Sequence, residues 1–418
     1  MNLLWILPHN KLSLPLLSYT FINRELISLI KLTKKEKINL FIYSASLDGV
    51  DPQHNLNKPI FEYNQLKNNS KIYYSLPTKK NFYKLRHFLQ YFGGTAIYPF
   101  FWSRQRFKYT YMKWFFKTYL SLNEVIKKNK IDLVHTHLLD CVEPLIAIKK
   151  KYNFKLLNTY HGGDIYIIKC NLGSRGQRVK NKGHEDFLKK SLPFIDIHLP
   201  VSYWLSSFLN DFKIDETKIK VLHNGIDVNE FNLIQFEQNT PLVILSYKRT
   251  KNTYLAAKEV LKRIPSLNFV MMGAKATTEE ESLIKTLGIK DNFKFLGEVS
   301  ADKVNSVISR SDIILHPSWC DACSIFILEA MASGKPVIGS DGLGIAEEIL
   351  DGKTGFLVNQ FDYKNIANAI LKLAKNKKLR IKMGKAGRKR VESYFINDNK
   401  IRGYISIYKK LLKNKSSY

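Results

Sequence analysis

Two thiols and two carboxylates share the stretch SWCDACSIFILEAMASGKPV, residues 318–337, and they point to different chemistries. Cys320 and Cys323, separated by two residues and preceded by Trp319, have the spacing of a dithiol redox pair. Such a pair needs its first thiol at a helix N-terminus, where the dipole favours the thiolate. The run DIILHPS followed by SIFILEAMAS reads as strand then helix and would supply one. The pair lies deep in a long α/β series, however. Cys141 and Cys170 stand far apart, so no second pair offers zinc a tetrahedral site. The carboxylates suit the segment better. Asp321 falls in the loop before the helix, and Glu329, eight residues on, falls a turn or more inside it. Amide N–H groups of Cys323, Ser324 and Ile325 would point out of the first turn and form an anion site suited to a diphosphate. A carboxylate on each side would accept hydrogen bonds from sugar and ribose hydroxyls. Small Ala322 and Ser324 would let a ligand approach the main chain. Taken alone, Glu329 also reads as an exposed helix residue.

The elements that must hold this loop are legible as alternating apolar runs and helical periods, the pattern of parallel-sheet α/β layers. Strand candidates in the first half are NLLWILP, INLFIYSAS, DLVHTH, KLLNTYH, IHLPVS and KVLHNG. In the second half they are LVILSY, NFVMMG, KFLGEV, DIILHPS, KPVIGS and GFLV. Helical stretches are expected at 253–263, 279–287, 302–309 and 363–375. A chain of 418 residues exceeds one ordinary core, so two domains are expected. The polar stretch FNLIQFEQNTP separates two complete strand–helix series, giving domains at 1–235 and 236–395. The last helical stretch, within 396–418, would cross back to the first domain. A doubly wound pair of this kind binds its ligand where the carboxyl ends of the strands face the central cleft.

Charge is the outlier: 66 basic against 36 acidic residues gives +30, which calls for a polyanionic neighbour. From Tyr63 to Asn123 there is no Asp or Glu, while eleven Lys and Arg occur among dense aromatics. Cations beside exposed rings suit an anionic membrane interface. A core helix with a solvated basic face is the plain alternative, and nucleic acid a third. No helix-turn-helix, RNA-binding aromatic motif or zinc-finger spacing supports the third, so no nucleic-acid partner is expected. No apolar run approaches the ~18 residues of a membrane span. The N-terminus lacks a basic n-region and a small-residue cleavage site, which places the chain in the cytoplasm, with the inner membrane face as a docking surface.

The segment HPSWCDACSIFILEAMASGKPVIGSDGLGIAEEILDGKTGFLV resembles the signature of the group-1 retaining glycosyltransferases of the GT-B fold. In that family two glutamates stand eight apart around a glycine-rich loop, followed by EAMA-G-PV, a glycine turn, a glutamate and DG-TG-LV. Asp321 replaces the first glutamate here, and Ala322, Cys323 and Ser324 replace the loop's glycines and phenylalanine. IDLVHTH, YHGGDI, VSYWLSSFLNDFKIDETKIKVLHNGIDVNEF and FLGEVSADKVNSVISRSDIILHPS are similar to further landmarks in family order. The resemblance covers roughly residues 131–412.

By that resemblance the fold is α/β, with two Rossmann-like doubly wound domains facing a central cleft. Glu329 would hold the donor ribose and Asp321 the sugar hydroxyls. The main chain at Cys323, Ser324 and Ile325 would meet the diphosphate. His161, in TYHGGDI, matches the family's histidine near the reacting centre. Arg249 and Lys251, with Lys248 as a third candidate, would neutralise the leaving diphosphate, as cationic clamps do where negative charge grows. Glu347 and Glu348 follow the glycine turn, and the sequence does not say which faces the donor. The first loop, LPHNKLSLP, lacks the family's Gly-Gly turn, which leaves His9, Asn10 and Lys11 without a role. The resemblance implies no metal and no cofactor. The donor would be a nucleotide-diphosphate sugar, a UDP-sugar first, and the acceptor a lipid-linked or envelope glycan. Two other readings remain: a soluble enzyme of the same fold making a storage or osmolyte sugar, and a catalytically inactive nucleotide-sugar-binding protein.

Overall fold

The computed structural model describes residues 1–10, 20–46, 71–74, 105–139, 141–165, 168–169, 177–178, 182–233, 242–247, 250–273 and 275–413. Its strands are β1 (Asn2–Asn10), β2 (Asn39–Ser46), β3 (Lys71–Tyr74), β4 (Leu133–His137), β5 (Lys155–Tyr160), β6 (Ile168–Lys169), β7 (Gln177–Arg178) and β8 (Ile197–Pro200). Then follow β9 (Val243–Ser246), β10 (Asn268–Met272), β11 (Phe293–Gly297), β12 (Ile313–His316), β13 (Val337–Ser340) and β14 (Gly355–Val358). The helices of the first half are α1 (Thr20–Lys35), α2 (Gln105–Asn129), α3 (Val142–Lys149), α4 (Lys182–Ser191) and α5 (Tyr203–Asn210). Those of the second half are α6 (Lys251–Leu261), α7 (Thr278–Thr286), α8 (Ala301–Ser309), α9 (Ile325–Ala332), α10 (Ile345–Glu348), α11 (Tyr363–Ala374), α12 (Lys377–Tyr394) and α13 (Asn397–Lys413).

Two six-stranded parallel sheets result, ordered β3-β2-β1-β4-β5-β8 and β11-β10-β9-β12-β13-β14. Each follows the same doubly wound sequence, so each reverses direction beside its first strand, between β1 and β4 and between β9 and β12. A small antiparallel ribbon joins β6 to β7. Both faces of each sheet are covered, which is why the strands read as unbroken apolar runs rather than alternating ones. Along β1, Leu4 and Ile6 enter one core with Val134 and Leu156, while Leu3 and Trp5 enter the other with Leu29 and Ile42. In the second sheet Ile244, Ile313 and Leu315 face the α6–α11 side, and Leu245 and Ile314 face α9.

Helix α13 belongs by packing to the first sheet, although it ends the chain. Its Ile401, Tyr404, Ile405 and Tyr408 are buried with Leu3, Trp5 and Leu26, against α1. One expected strand does not form. In KVLHNG, Lys220 and Leu222 donate only to the β8 carbonyls of His198 and Pro200, through a single bridge at Ile219. The chain then turns away at Asn224-Gly225 so that Ile226 can bridge Ile396, which leaves no run long enough to be a strand. The expected domain boundary at 235/236 lies outside the described residues. Much of the basic aromatic segment 63–123 lies outside them as well. Of its described side chains, Phe115, Thr118 and Leu122 are buried, with Phe116 and Tyr119 packed beside them. These rings serve the core.

Candidate active site

On the first sheet the site begins at the carboxyl ends of β4 and β5. Residues two apart on a strand share a face, so His135 and His137 project together. Their rings stack at 4.9 Å and 18°, with the Trp5 ring against both at 4.5 and 4.4 Å. His161 follows β5, where Gly162 adopts φ +133°, a conformation suited to glycine, and donates its N–H to Asp164 Oδ1 at 2.9 Å. This turn lays the His161 ring on His137, 5.3 Å and 17° apart, with His161 Nε2 3.0 Å from His137 Nδ1. Burial holds His161 well below the usual imidazole range, and the nearby Lys400 ammonium adds to this. A neutral ring at the strand end can donate from one nitrogen and accept at the other.

On the second sheet, β12 ends in buried His316, and the WCDAC loop follows. Asp321 Oδ2 lies 2.9 Å from His316 Nε2, which also lies 3.3 Å from Ser324 Oγ. The half-buried Asp321 is therefore aimed by an imidazole beneath it. The close passage of the loop depends on Gly344: a Cβ there would fall 1.6 Å from the Ala322 carbonyl oxygen. Ala322 and Cys323 pack into the core that carries β1 and β4, so this loop touches the first domain. Burial and the neighbouring Glu348 carboxylate push the Cys323 thiol well up, and Cys320 and Cys323 are unbridged. A buried thiol held protonated, as Cys323 is, does not make the second half of a reactive dithiol.

The Ser324 amide corrects an expectation. It donates to Glu348 Oε2 at 3.0 Å instead of standing open to an anion, because the fully buried Glu348 carboxylate needs a donor and the helix start supplies one. Ile325 opens α9 as its first residue, and its N–H, with those of Phe326 and Ile327, points out of the helix end. The adjacent Glu347 turns the other way. It accepts from the backbone N–H groups of Tyr203 and Trp204 at 2.9 and 2.7 Å and lies 2.7 Å from His223 Nε2. Thus Glu348 serves the loop, and Glu347 caps α5 across the domain interface.

Glu329 is buried one turn inside α9, and its Oε1 accepts from Arg24 Nη1 at 3.0 Å. The same guanidinium reaches Glu230 Oε2 at 2.9 Å. Burial raises the Glu329 carboxyl while Arg24 opposes the rise. These residues line a cavity of about 140 Å³ together with Phe231, Asp302 and Asn305. Lys251 is exposed as the first residue of α6, beside a Thr250–Thr253 capping box, and Arg249 and Lys248 lie outside the described residues. So do Lys11 and the side chains of His9 and Asn10.

The structure thus gathers Asp321, Cys323, Ser324 and Ile325 at one loop–helix junction, sets Glu329 behind it, and puts His161 at the end of the facing sheet. Sequence reasoning missed Arg24 and the His135–His137 stack. The H-T-H alternation of DLVHTH is a signal for the stack, whereas nothing in NRELISL marks one arginine as a partner for Glu329.

The model of glycosyl transferases group 1 matches residues 242–390, and that of glycosyltransferase family 4 matches residues 86–230. The chain is 25% identical over 310 residues to N-acetyl-alpha-D-glucosaminyl L-malate synthase of Bacillus anthracis, covering 70% of this chain and 78% of that one. Two solved structures share the fold. The lipopolysaccharide outer core galactosyltransferase WaaB superposes with TM-score 0.66 at 15% identity over 98% of this chain and 100% of its own. Anabaena Alr3699/HepE in complex with UDP and glucose does so with TM-score 0.64 at 13% identity, again over 98% and 100%.

Proposed function

We propose, from the premise that this chain belongs to the group-1 glycosyltransferase family, that it moves a hexose-type sugar, with retention and without a metal, from a nucleotide-diphosphate sugar to a lipid-linked or envelope glycan. The observation that carries the reading is the loop–helix junction: Asp321, aimed by buried His316, stands next to the outward amides of α9. In this reading Asp321 accepts from the sugar hydroxyls, and the Ile325 amide and Lys251, with Arg249, meet the diphosphate. As the glycosidic bond to the leaving group breaks, negative charge grows on the phosphate, and fixed N–H dipoles and cations stabilise it without reorganising. Glu329 takes the ribose hydroxyls once Arg24 lets go of it. His161, held neutral, hydrogen-bonds the sugar or the incoming hydroxyl.

Uridine is the base we assign first, since HepE is a fold neighbour that holds UDP and glucose. WaaB, named for lipopolysaccharide, supports an envelope acceptor, and the +30 charge supports docking on the anionic inner face of the membrane. A second reading, a small soluble acceptor, is favoured by the name of the Bacillus relative, an N-acetyl-alpha-D-glucosaminyl L-malate synthase. The donor assignment is tested by thermal unfolding with UDP-, GDP- and ADP-glucose. UDP-glucose at about 100 times its Kd is expected to add ~2.7 kcal/mol of apparent stability. No stabilisation by any of the three sinks the reading.

A further inference from the structure

Beneath the donor loop lies a buried cation that the chemistry above uses only to help keep His161 neutral. Lys400 of α13 and Glu25 of α1 have side chains 1% exposed each, and Lys400 Nζ donates to Glu25 Oε1 at 2.6 Å. The same Nζ donates to Asn224 Oδ1 at 2.9 Å, and Asn224 Nδ2 donates to the Cys323 carbonyl at 3.1 Å. Lysine offers only donors, so it must face the oxygen of Asn224 and thereby turns the amide nitrogen toward Cys323. The Cys323 carbonyl belongs to the same peptide unit as the Ser324 N–H, which donates to Glu348. A peptide unit is planar, so holding its oxygen from one side and its N–H from the other fixes its orientation. That plane sits between Asp321 and the first residue of α9.

A buried ion pair is a poor stability device, because desolvation offsets most of the attraction. This one joins segments far apart in sequence: α1, the interdomain turn, α13 and, through Asn224, the donor loop. We propose that Lys400 is a positioning residue which, through Asn224 and opposite Glu348, clamps the Cys323–Ser324 peptide so that Asp321 is presented to the sugar of the donor. The inference rests on the reading of this loop as a donor site, and it makes the C-terminal helix a working part of that site.

Two variants test it: Asn224→Ala, and the charge-neutral pair Lys400→Met with Glu25→Gln, which removes the cation without stranding a carboxylate. Cys323 is buried, so its labelling by a thiol reagent in the absence of ligand reports loop opening without any assumption about the nucleotide. In both variants Cys323 labelling is expected to accelerate about tenfold, the equivalent of one lost hydrogen bond, while the melt stays cooperative. UDP-glucose affinity is expected to fall by about tenfold and UDP affinity by less than about threefold, since the misplaced group is the one facing the sugar. If Asn224→Ala fails to fold, the paired variant is read in the same way. Unchanged Cys323 labelling in a folded variant overturns the clamp. So does an equal loss of UDP and UDP-glucose, which would mean general disruption of the site. Should the wild-type protein bind neither nucleotide, the donor reading fails while the labelling still decides the clamp.

Discussion

A carboxylate assigned to ribose hydroxyls is held here by a guanidinium from the other domain. Arg24 spans Glu329 and Glu230 with two N–H groups, and its bond to Glu329 Oε1 is the one a ligand hydroxyl would replace. Arg24→Ala is therefore expected to lower stability by ~3 kcal/mol, the lower end for a buried pair losing one partner, and to tighten UDP binding. Denaturant melts and nucleotide titration check both effects. Weaker UDP binding would instead make Arg24 a contact of the ligand. At this scale the sequence was informative about kinds and silent about partners. The placement of Asp321 in the loop and Glu329 inside the helix was legible, because loop and helix registers fix where each stands. Glu347 and Glu348 could not be told apart, because adjacent helical residues project about 100° apart and only the packed neighbours decide which meets Ser324 and which meets α5. Against the redox alternative, which the sequence already disfavoured, the structure adds the burial of Cys323, which spacing does not encode.

Elements were the most legible level. Helices expected at 253–263, 279–287, 302–309 and 363–375 are found at Lys251–Leu261, Thr278–Thr286, Ala301–Ser309 and Tyr363–Ala374. Polar starts cap three of the four: Thr250, Thr277 and Asp362 accept from first-turn amides. The stretch 220–225 misled because its apolar residues serve a crossing between domains, where Gly225 passes so close to Ile396 and Asn397 that a Cβ would fall 2.6 Å from their backbone. Beside the local N-cap Ser202, the second acceptor at the start of α5 was illegible, since Glu347 lies more than a hundred residues away from it. Burial alone would raise the Glu347 carboxyl, but His223 and the two amides of α5 hold it below the usual range. A depressed carboxyl contributes stability that is complete above its unfolded value near 4.5 and is lost as pH falls through the lower folded value. Glu347→Gln is thus expected to be destabilising at pH 7, with the difference from wild type shrinking below about pH 4.5. Urea melts from pH 3 to 7, run as a series on both proteins, measure this. A difference that persists unchanged to pH 3 would remove the charge from the explanation.

At the scale of the molecule, two sheets of the same winding face each other's loops, and α13 returns from the second series to complete the first. The two-sheet architecture was readable from the alternation of runs, whereas the role of the net charge was not, because a charge count gives no location. Binding to vesicles containing anionic lipid is expected at low salt and should weaken as salt screens it. No binding at low salt would favour the soluble-acceptor reading. The most direct test of the account as a whole is turnover of the stabilising nucleotide sugar by wild type, Glu329→Ala and His161→Ala. Release of nucleoside diphosphate by wild type is expected to fall by about a hundredfold or more in each variant, since each removes a group assigned to the donor or the reacting centre. Turnover left intact in both variants would contradict the site described here.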